Sequence, residues 1–266
     1  MRILSPLLLF FVFNLTSFSA SATDLKDSTR LKILSYNLRF GELASLEELA
    51  DFIKSEDPDL VALQEVDSRT FRERAPHQND KDFTTELGYL IGMFSAYGKT
   101  IPYKKGYYGI ALLSKYPLAK VERIYLPKTE NGKEQRAILI AKVEYKTNQY
   151  FTFASTHLDY TNTSERQVQV KKLNEILSDR DKPLILGGDF NAHPDAKEIA
   201  EGMQSWKLLS NLEATVPTTN PKNTIDYIFG FPAENIDVIH AETYKNIELS
   251  DHLPIGVEIE IVQEEK

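Results

Sequence analysis

In the stretch LKILSYNLRFGELASLEELADFIKSEDPDLVALQE, residues 31–65, two apolar β-type runs, 31–37 and 59–65, flank a segment in which Leu43, Leu46, Leu49, Ala50 and Ile53 recur at helical spacing. This opening is a βαβ unit. Outward from it, a charged segment at 67–82 precedes a short helical candidate at 83–90 and strand candidates at 107–113, 118–125, 136–145 and 150–156, which read as antiparallel neighbours. Ser164 with Gln167 has the form of a capping box for a helix ending at Leu177, whose Val170, Leu173 and Leu177 share one face. A buried strand at 183–187 follows, then a short helix capped by Asp195 with Glu198, then strands at 225–229, 236–242 and 254–262. Strands and helices in this mixed order call for an α/β (α+β) protein of two packed sheets covered by helices on their outer faces, with loops clustered at one edge. No internal repeat or Pro/Gly-rich linker marks a second domain.

Composition narrows the chemistry. The 266 residues, 42% hydrophobic and 26% charged, suit an ordinary packed globule and exclude disordered, collagen-like and coiled-coil classes. The absence of cysteine removes disulfides, thiolate zinc sites and cysteine nucleophiles, so any metal must sit on oxygen or imidazole. A formal net charge of -8 disfavours tight non-specific nucleic-acid binding. At the N-terminus, Met1 and Arg2 precede an apolar run at 7–18 and then Ala20-Ser21-Ala22. That order is a secretory signal peptide, too short in its apolar run for the ~20 residues of a membrane span. Cleavage near Ala22 is expected, giving a domain at 23–266 exported to a bacterial periplasm or the exterior.

Polar residues stand where the apolar strands end: Asn37, Glu65, His157, Asp189 with Asn191, Asp226, and Asp251 with His252. A lone Asp after a strand is ordinarily a turn or N-cap residue. A set mixing carboxylates, carboxamides and two histidines points beyond capping. Carboxylate and amide oxygens suit a hard divalent cation such as Mg²⁺, while histidines and an Asp move protons and hold phosphoryl oxygens.

The segments Ser35-Tyr36-Asn37, Leu63-Gln64-Glu65-Val66, Tyr108-Gly109, Ser155-Thr156-His157-Leu158-Asp159, Gly187-Gly188-Asp189-Phe190-Asn191, Ile225-Asp226-Tyr227-Ile228 and Ser250-Asp251-His252-Leu253-Pro254 resemble, in order, those of the endonuclease/exonuclease/phosphatase superfamily. That superfamily includes DNase I, exonuclease III-like repair nucleases, neutral sphingomyelinases and inositol polyphosphate 5-phosphatases. The resemblance implies a four-layer α/β-sandwich of DNase I-like type and hydrolysis of a phosphoester by in-line attack of water, assisted by Mg²⁺ or Mn²⁺. Carried over, Glu65 is the main metal ligand, with Asn37 and Asp251 beside it. Asp189 orients or deprotonates the water, Asn191 and His157 grip phosphoryl oxygens, and Asp226 and His252 form a carboxylate–imidazole pair.

The chain departs from its relatives in places. Ile110 follows Tyr108-Gly109 where many relatives have Asn, removing one polar group near the site. Arg39 stands where the repair nucleases have an Asp, and reads equally as a substrate-binding cation or a surface arginine. Arg136, Tyr108 and Arg69 are further candidates for the rim, against solvated loop charges for the two arginines. The sequon Asn162-Thr163-Ser164 reads as accidental. Three functional classes follow: a secreted metal-dependent phosphoesterase on a small, lipid-derived or sugar phosphoester; a secreted nuclease; and a catalytically dead binding module, disfavoured because every residue of the set is present. A monomer without stable membrane insertion is expected.

Overall fold

The computed structural model describes residues 28–262, so the segment read as a signal peptide lies outside the described residues. β1 (Ser28–Asn37) and β2 (Leu60–Ser68) are parallel and joined by α1 (Leu46–Glu56). α2 (Phe83–Ile91) follows, then the hairpins β3 (Phe94–Tyr103)–β4 (Gly106–Ser114) and β5 (Leu118–Tyr125)–β6 (Ala137–Lys146). β7 (Gln149–His157) and β8 (Leu184–Asp189) form a second parallel pair, joined by α3 (Thr163–Leu177). α4 (Lys197–Ala200), β9 (Lys207–Leu208), β10 (Asp226–Phe231), β11 (Ile236–Thr243) and β12 (Ile255–Val262) complete the chain. One sheet has the order β11-β12-β1-β2-β4-β3, the other β5-β6-β7-β8-β10-β9.

Alternation along strands buried on both faces sorts their residues into three cores. Ile33, Leu60, Leu112, Leu139, Phe153 and Ile185 meet between the sheets. Their neighbours Leu34, Val61 and Leu63 pack on Leu49 and Ile53 of α1 and Phe83 and Leu87 of α2. Ile138, Ile140 and Leu186 pack on Val170, Leu173 and Leu177 of α3. The result is a four-layer sandwich, helices, sheet, sheet, helices. Truncating a fully buried leucine such as Leu49 to Ala costs about 2–5 kcal/mol in such a core.

Some local expectations give way to tertiary structure. Leu43 is 53% exposed and precedes α1, which starts behind Ser45; Ser45 and Glu48 make the reciprocal capping box there. α3 is capped by Asn162, whose Oδ1 accepts from Glu165 N at 3.1 Å, and not by a Ser164–Gln167 box. Asn162 starts the helix because Asp159 Oδ1 accepts the Thr161 and Asn162 N–H groups and turns the chain there. α4 has no side-chain cap, and Glu198 is instead buried against Arg166 Nε at 2.6 Å. β3 was not expected, since Gly98 and Pro102 interrupt its pattern. Gly98 belongs there because a Cβ would lie 3.1 Å from Ile110, its ladder partner on β4, and 3.2 Å from Leu139 in the facing sheet.

The two sheets draw close below the strand ends, where the facing residues are small. A Cβ on Gly187 would lie 2.8 Å from that of Ala62 and 3.3 Å from that of Ser35. The buried Gln64 amide joins the sheets there, donating to Ser155 Oγ at 3.2 Å. Close approach at this edge brings polar residues from both sheets into one group.

Candidate active site

Hydrogen-bond register sets the first members. In the second sheet His157 is the ladder partner of Asp189 across the parallel β7–β8 pair, and Asp226 is its antiparallel partner on β10. Asn37, at the end of β1 in the other sheet, crosses the gap and donates from Nδ2 to Asp189 Oδ2 at 3.0 Å and to Glu65 Oε1 at 3.3 Å. Glu65 owes its direction to a bulge: the β2–β4 register slips between Leu63 and Val66, and Glu65 has φ 54°. The bulge turns its side chain into a cleft of about 370 Å³ that Asp189, His157, Asn191 and His252 also line.

Asp189 is the hub. Its Oδ1 accepts from the Asn191 N–H at 2.9 Å, and its Oδ2 lies 3.5 Å from His157 Nε2 and 3.8 Å from His252 Nε2. Burial and the neighbouring Asp226 charge push its pKa up to about 7, against the pull of His252 and two hydrogen bonds. His252 Nδ1 sits 2.9 Å from Asp226 Oδ2, which also accepts from Thr215 Oγ1 at 2.5 Å. Burial alone would lower the pKa of His252, but Asp226, helped by Asp189 and Asp251, raises it to about 10. His157 goes the other way: burial, then Arg136 and His252, hold it well below the ordinary imidazole value. At neutral pH the site therefore has one charged and one neutral imidazole beside a carboxylate near its midpoint.

The chemistry of the donor set can be tested against a hard divalent cation. Asp189, Asp226 and His252 bring one ligand-type atom each within 4.8 Å of one another. That group suits a proton relay better than an ion, because a protonated imidazole has no lone pair to give. Glu65 does suit one: it is half-buried, has no ion-pair partner among the described residues, and burial, then Asp251, raises its pKa. A single carboxylate completed by water and a substrate oxygen is ordinary for Mg²⁺.

The other two expected ligands are engaged elsewhere. Asn37 Oδ1 accepts the Arg39 N–H at 3.0 Å, so its amide faces the site as a donor. Asp251 Oδ2 is taken by the Arg39 guanidinium.

The expected substrate-side residues separate in the same way. Tyr108 and Arg136 line the cleft, and Arg136 is 2% exposed with Nε lacking a hydrogen-bond partner and Glu134 Oε2 at 3.6 Å from Nη2. Arg39 is outside the lining, its charge matched by Glu42 and Asp251. Arg69 pairs loosely with Asp80 at 3.8 Å in solvent. Ile110 is buried between the sheets, away from the site surface.

The outer wall comes from residues without a sequence signal of their own: Phe40, Arg72, Arg74, Ile101, Tyr103 and Tyr160. Arg72 binds Asp67 through Nε at 2.5 Å and Nη2 at 2.9 Å and lies 3.8 Å from the Phe40 ring centre and 4.3 Å from that of Tyr103. Arg72 and Arg74 fall in the charged segment 67–82, which was legible only as polar.

The chain is similar to known proteins over most of its length. An Escherichia coli K12 protein, YbhP, is 27% identical over 249 residues, covering 86% of this chain and 96% of that one. Exodeoxyribonuclease III of Haemophilus influenzae is 27% identical over 186 residues, 66% of this chain and 63% of that enzyme. The structure of a mannosyl-6-phosphatase from Bacteroides thetaiotaomicron superposes with a TM-score of 0.66 at 17% identity, covering 86% of this chain and 99% of that one. The profile of the Endonuclease/Exonuclease/phosphatase family matches residues 34–252, from the first inner strand through His252. With the four-layer fold and the polar strand ends both inside that match, the chain belongs to the endonuclease/exonuclease/phosphatase family of phosphoester hydrolases.

Proposed function

We propose that the chain is an exported hydrolase that uses Mg²⁺ or Mn²⁺ to cleave a small, lipid-derived or sugar phosphoester. The observation that carries this reading is Asp189, raised to about 7 and set between a neutral His157 and the Asp226–His252 ion pair. Glu65 would hold the metal, which when bound supplies Lewis-acid polarisation of a phosphoryl oxygen. Asp189 orients the attacking water and takes its proton, a task that suits a base titrating near neutrality. His252, kept protonated by Asp226, presents Nε2–H to a phosphoryl or leaving-group oxygen. His157, Asn191 and Arg136 face the oxygens on which negative charge builds. A buried guanidinium with a loose carboxylate neighbour gains most from an anionic ligand.

A compact substrate is favoured by the cleft's charge pairing. Arg72 and Arg74, the cations of its outer wall, are bonded to Asp67 and Glu42, leaving few free cations inside the cleft to follow a phosphate backbone. A phosphatase of the same fold is named for a sugar phosphate. The nuclease reading has its own support in the similarity to exodeoxyribonuclease III. Turnover of phosphomonoesters, phosphodiesters, phospholipids and duplex DNA with Mg²⁺ separates the two. Efficient DNA cleavage with steep salt dependence overturns the small-substrate reading.

For the metal, Mg²⁺ should raise the melting temperature of the wild type and not of Glu65→Gln, and EDTA should abolish wild-type turnover. Equal stabilisation of both proteins, or turnover indifferent to EDTA, refutes the assignment. Export predicts an N-terminus near residue 23 on protein recovered outside the cytoplasm.

A further inference from the structure

We propose that the end of the β3–β4 hairpin, with the adjoining end of β5 and Phe71, is a docking surface for an anionic phospholipid membrane, set beside the mouth of the cleft. The surface combines two features. It exposes large rings, Phe71 at 41%, Tyr107 at 45% and Tyr125 at 42%. It is also basic in a chain of net charge -8. Lys99, Lys105 and Arg123 have no carboxylate within ion-pair distance among the described residues, while Lys104 lies 3.7 Å from Glu73 and Arg69, beside Phe71, lies 3.8 Å from Asp80.

Backbone contacts make these residues one patch. The Phe71 N–H donates to the Lys104 carbonyl at 2.9 Å, and Arg123 Nη1 donates to the Lys99 carbonyl at 3.2 Å, tying the loop and β5 to the hairpin. Tyr103, 37% exposed, belongs to the same hairpin and lines the cleft, so the surface and the cleft open at one edge.

How the rings and cations meet selects the occupant. Lys105 Nζ lies over the Phe71 ring at 5.1 Å, Lys99 Nζ over Tyr107 at 4.8 Å, and the Arg123 guanidinium over Tyr125 at 4.3 Å. A single-stranded nucleic acid stacks its bases on free ring faces. Here each ring has a cation over one face. Amphipathic tyrosines and a phenylalanine with ammonium and guanidinium heads beside them match the headgroup layer of a bilayer, where rings sit at the interface and cations meet lipid phosphates. The proposal goes beyond the catalytic reading and does not depend on it, since binding is measured without turnover.

The chain has no cysteine, so a single introduced one takes an environment-sensitive dye uniquely. The full chain is labelled at Lys104→Cys, at the hairpin turn, or at Ser178→Cys, beyond the far end of α3, and titrated with phosphatidylcholine vesicles with and without phosphatidylglycerol. The dye at 104 should respond only to phosphatidylglycerol vesicles, and the dye at 178 to neither. Lys99→Gln, Lys105→Gln and Arg123→Gln together should weaken the response at 104 roughly 100-fold, at about five-fold per cation. Hydrolysis of a soluble phosphodiester should be unchanged in the triple variant. No response at 104, equal responses at both positions, an unaltered response in the triple variant, or a response to a single-stranded oligonucleotide in place of vesicles overturns the proposal.

Discussion

On the floor of the cleft and just beneath it, Asn37, His157, Asp189 and Asp226 each stand at the end of a buried strand, whereas on its wall Phe40, Arg72, Arg74 and Tyr160 come from turns and loops. Floor residues are located by ladder hydrogen bonds that persist whatever the side chain is. Wall residues are located by their own side chains, through Arg72 on Asp67 and a chain of pairs from Arg74 to Glu42 to Arg39 to Asp251. A floor substitution should therefore remove chemistry and leave the fold, and a wall substitution should disturb binding and stability together.

The largest effect belongs to the centre of the floor. Asp189→Asn should lower kcat by roughly 10³-fold, the middle of the range for losing a positioned base. Its melting temperature should stay level or rise, because burial disfavours the charge being removed. A loss of activity accompanied by unfolding would erase the distinction between floor and wall.

Next comes the ion pair. Below its pKa of about 10 His252 is charged, so kcat/KM should rise as Asp189 deprotonates near pH 7, hold above that, and fall as pH rises through about 10. Asp226→Asn removes the charge that raises this pKa and should move the alkaline limb toward the ordinary imidazole value of about 6.5, with kcat/KM at neutral pH down at least about four-fold from the lost protonation alone. Combined with His252→Ala the losses should be less than additive, and a double-mutant cycle on kcat/KM reads this directly. Strict additivity, or an alkaline limb that does not move, would separate the two residues.

On the wall, Arg72→Met should raise KM about ten-fold with kcat within a factor of three. It should also cost about 3 kcal/mol of stability, because Asp67, 1% exposed, is left buried without its partner. Denaturant melts and steady-state kinetics measure both parts. The smallest effect is expected outside the cleft: Arg69→Ala loses an exposed ion pair at 3.8 Å and an exposed hydrogen bond to the Asp80 carbonyl at 2.7 Å, and should change stability by no more than about 1 kcal/mol, with KM unmoved. A ten-fold KM change there would extend the wall beyond its present limit.

The contrast also explains what could be read from the chain. β1, β2, β5, β7 and β12 announce themselves because their apolar residues are neighbours along the sequence, and the floor residues stand at the ends of such runs or just beyond them. β3 is hidden because Gly98 answers to Leu139, 41 positions away, and not to its own strand. The same holds for charge. Arg39 and Arg136 look alike in sequence, yet Arg39 meets Asp251, 212 residues on, while Arg136 enters the cleft with Nε unpartnered. Asn37 and Asp251, expected as metal ligands, are occupied by Arg39 through its backbone and its side chain.

Periodicity and the identity of residues at strand ends are local properties, so they suffice for two sheets under helices and for a cluster of carboxylates and imidazoles, which the family resemblance reads as phosphoester chemistry. Folding in three dimensions chose which carboxylate turns inward, through the bulge at Glu65, and which cations are neutralised before a substrate arrives. It also chose which rings face solvent beside the cleft. Those outcomes depend on partners up to 212 positions apart, and a distance of that kind has no trace in the order of neighbouring residues.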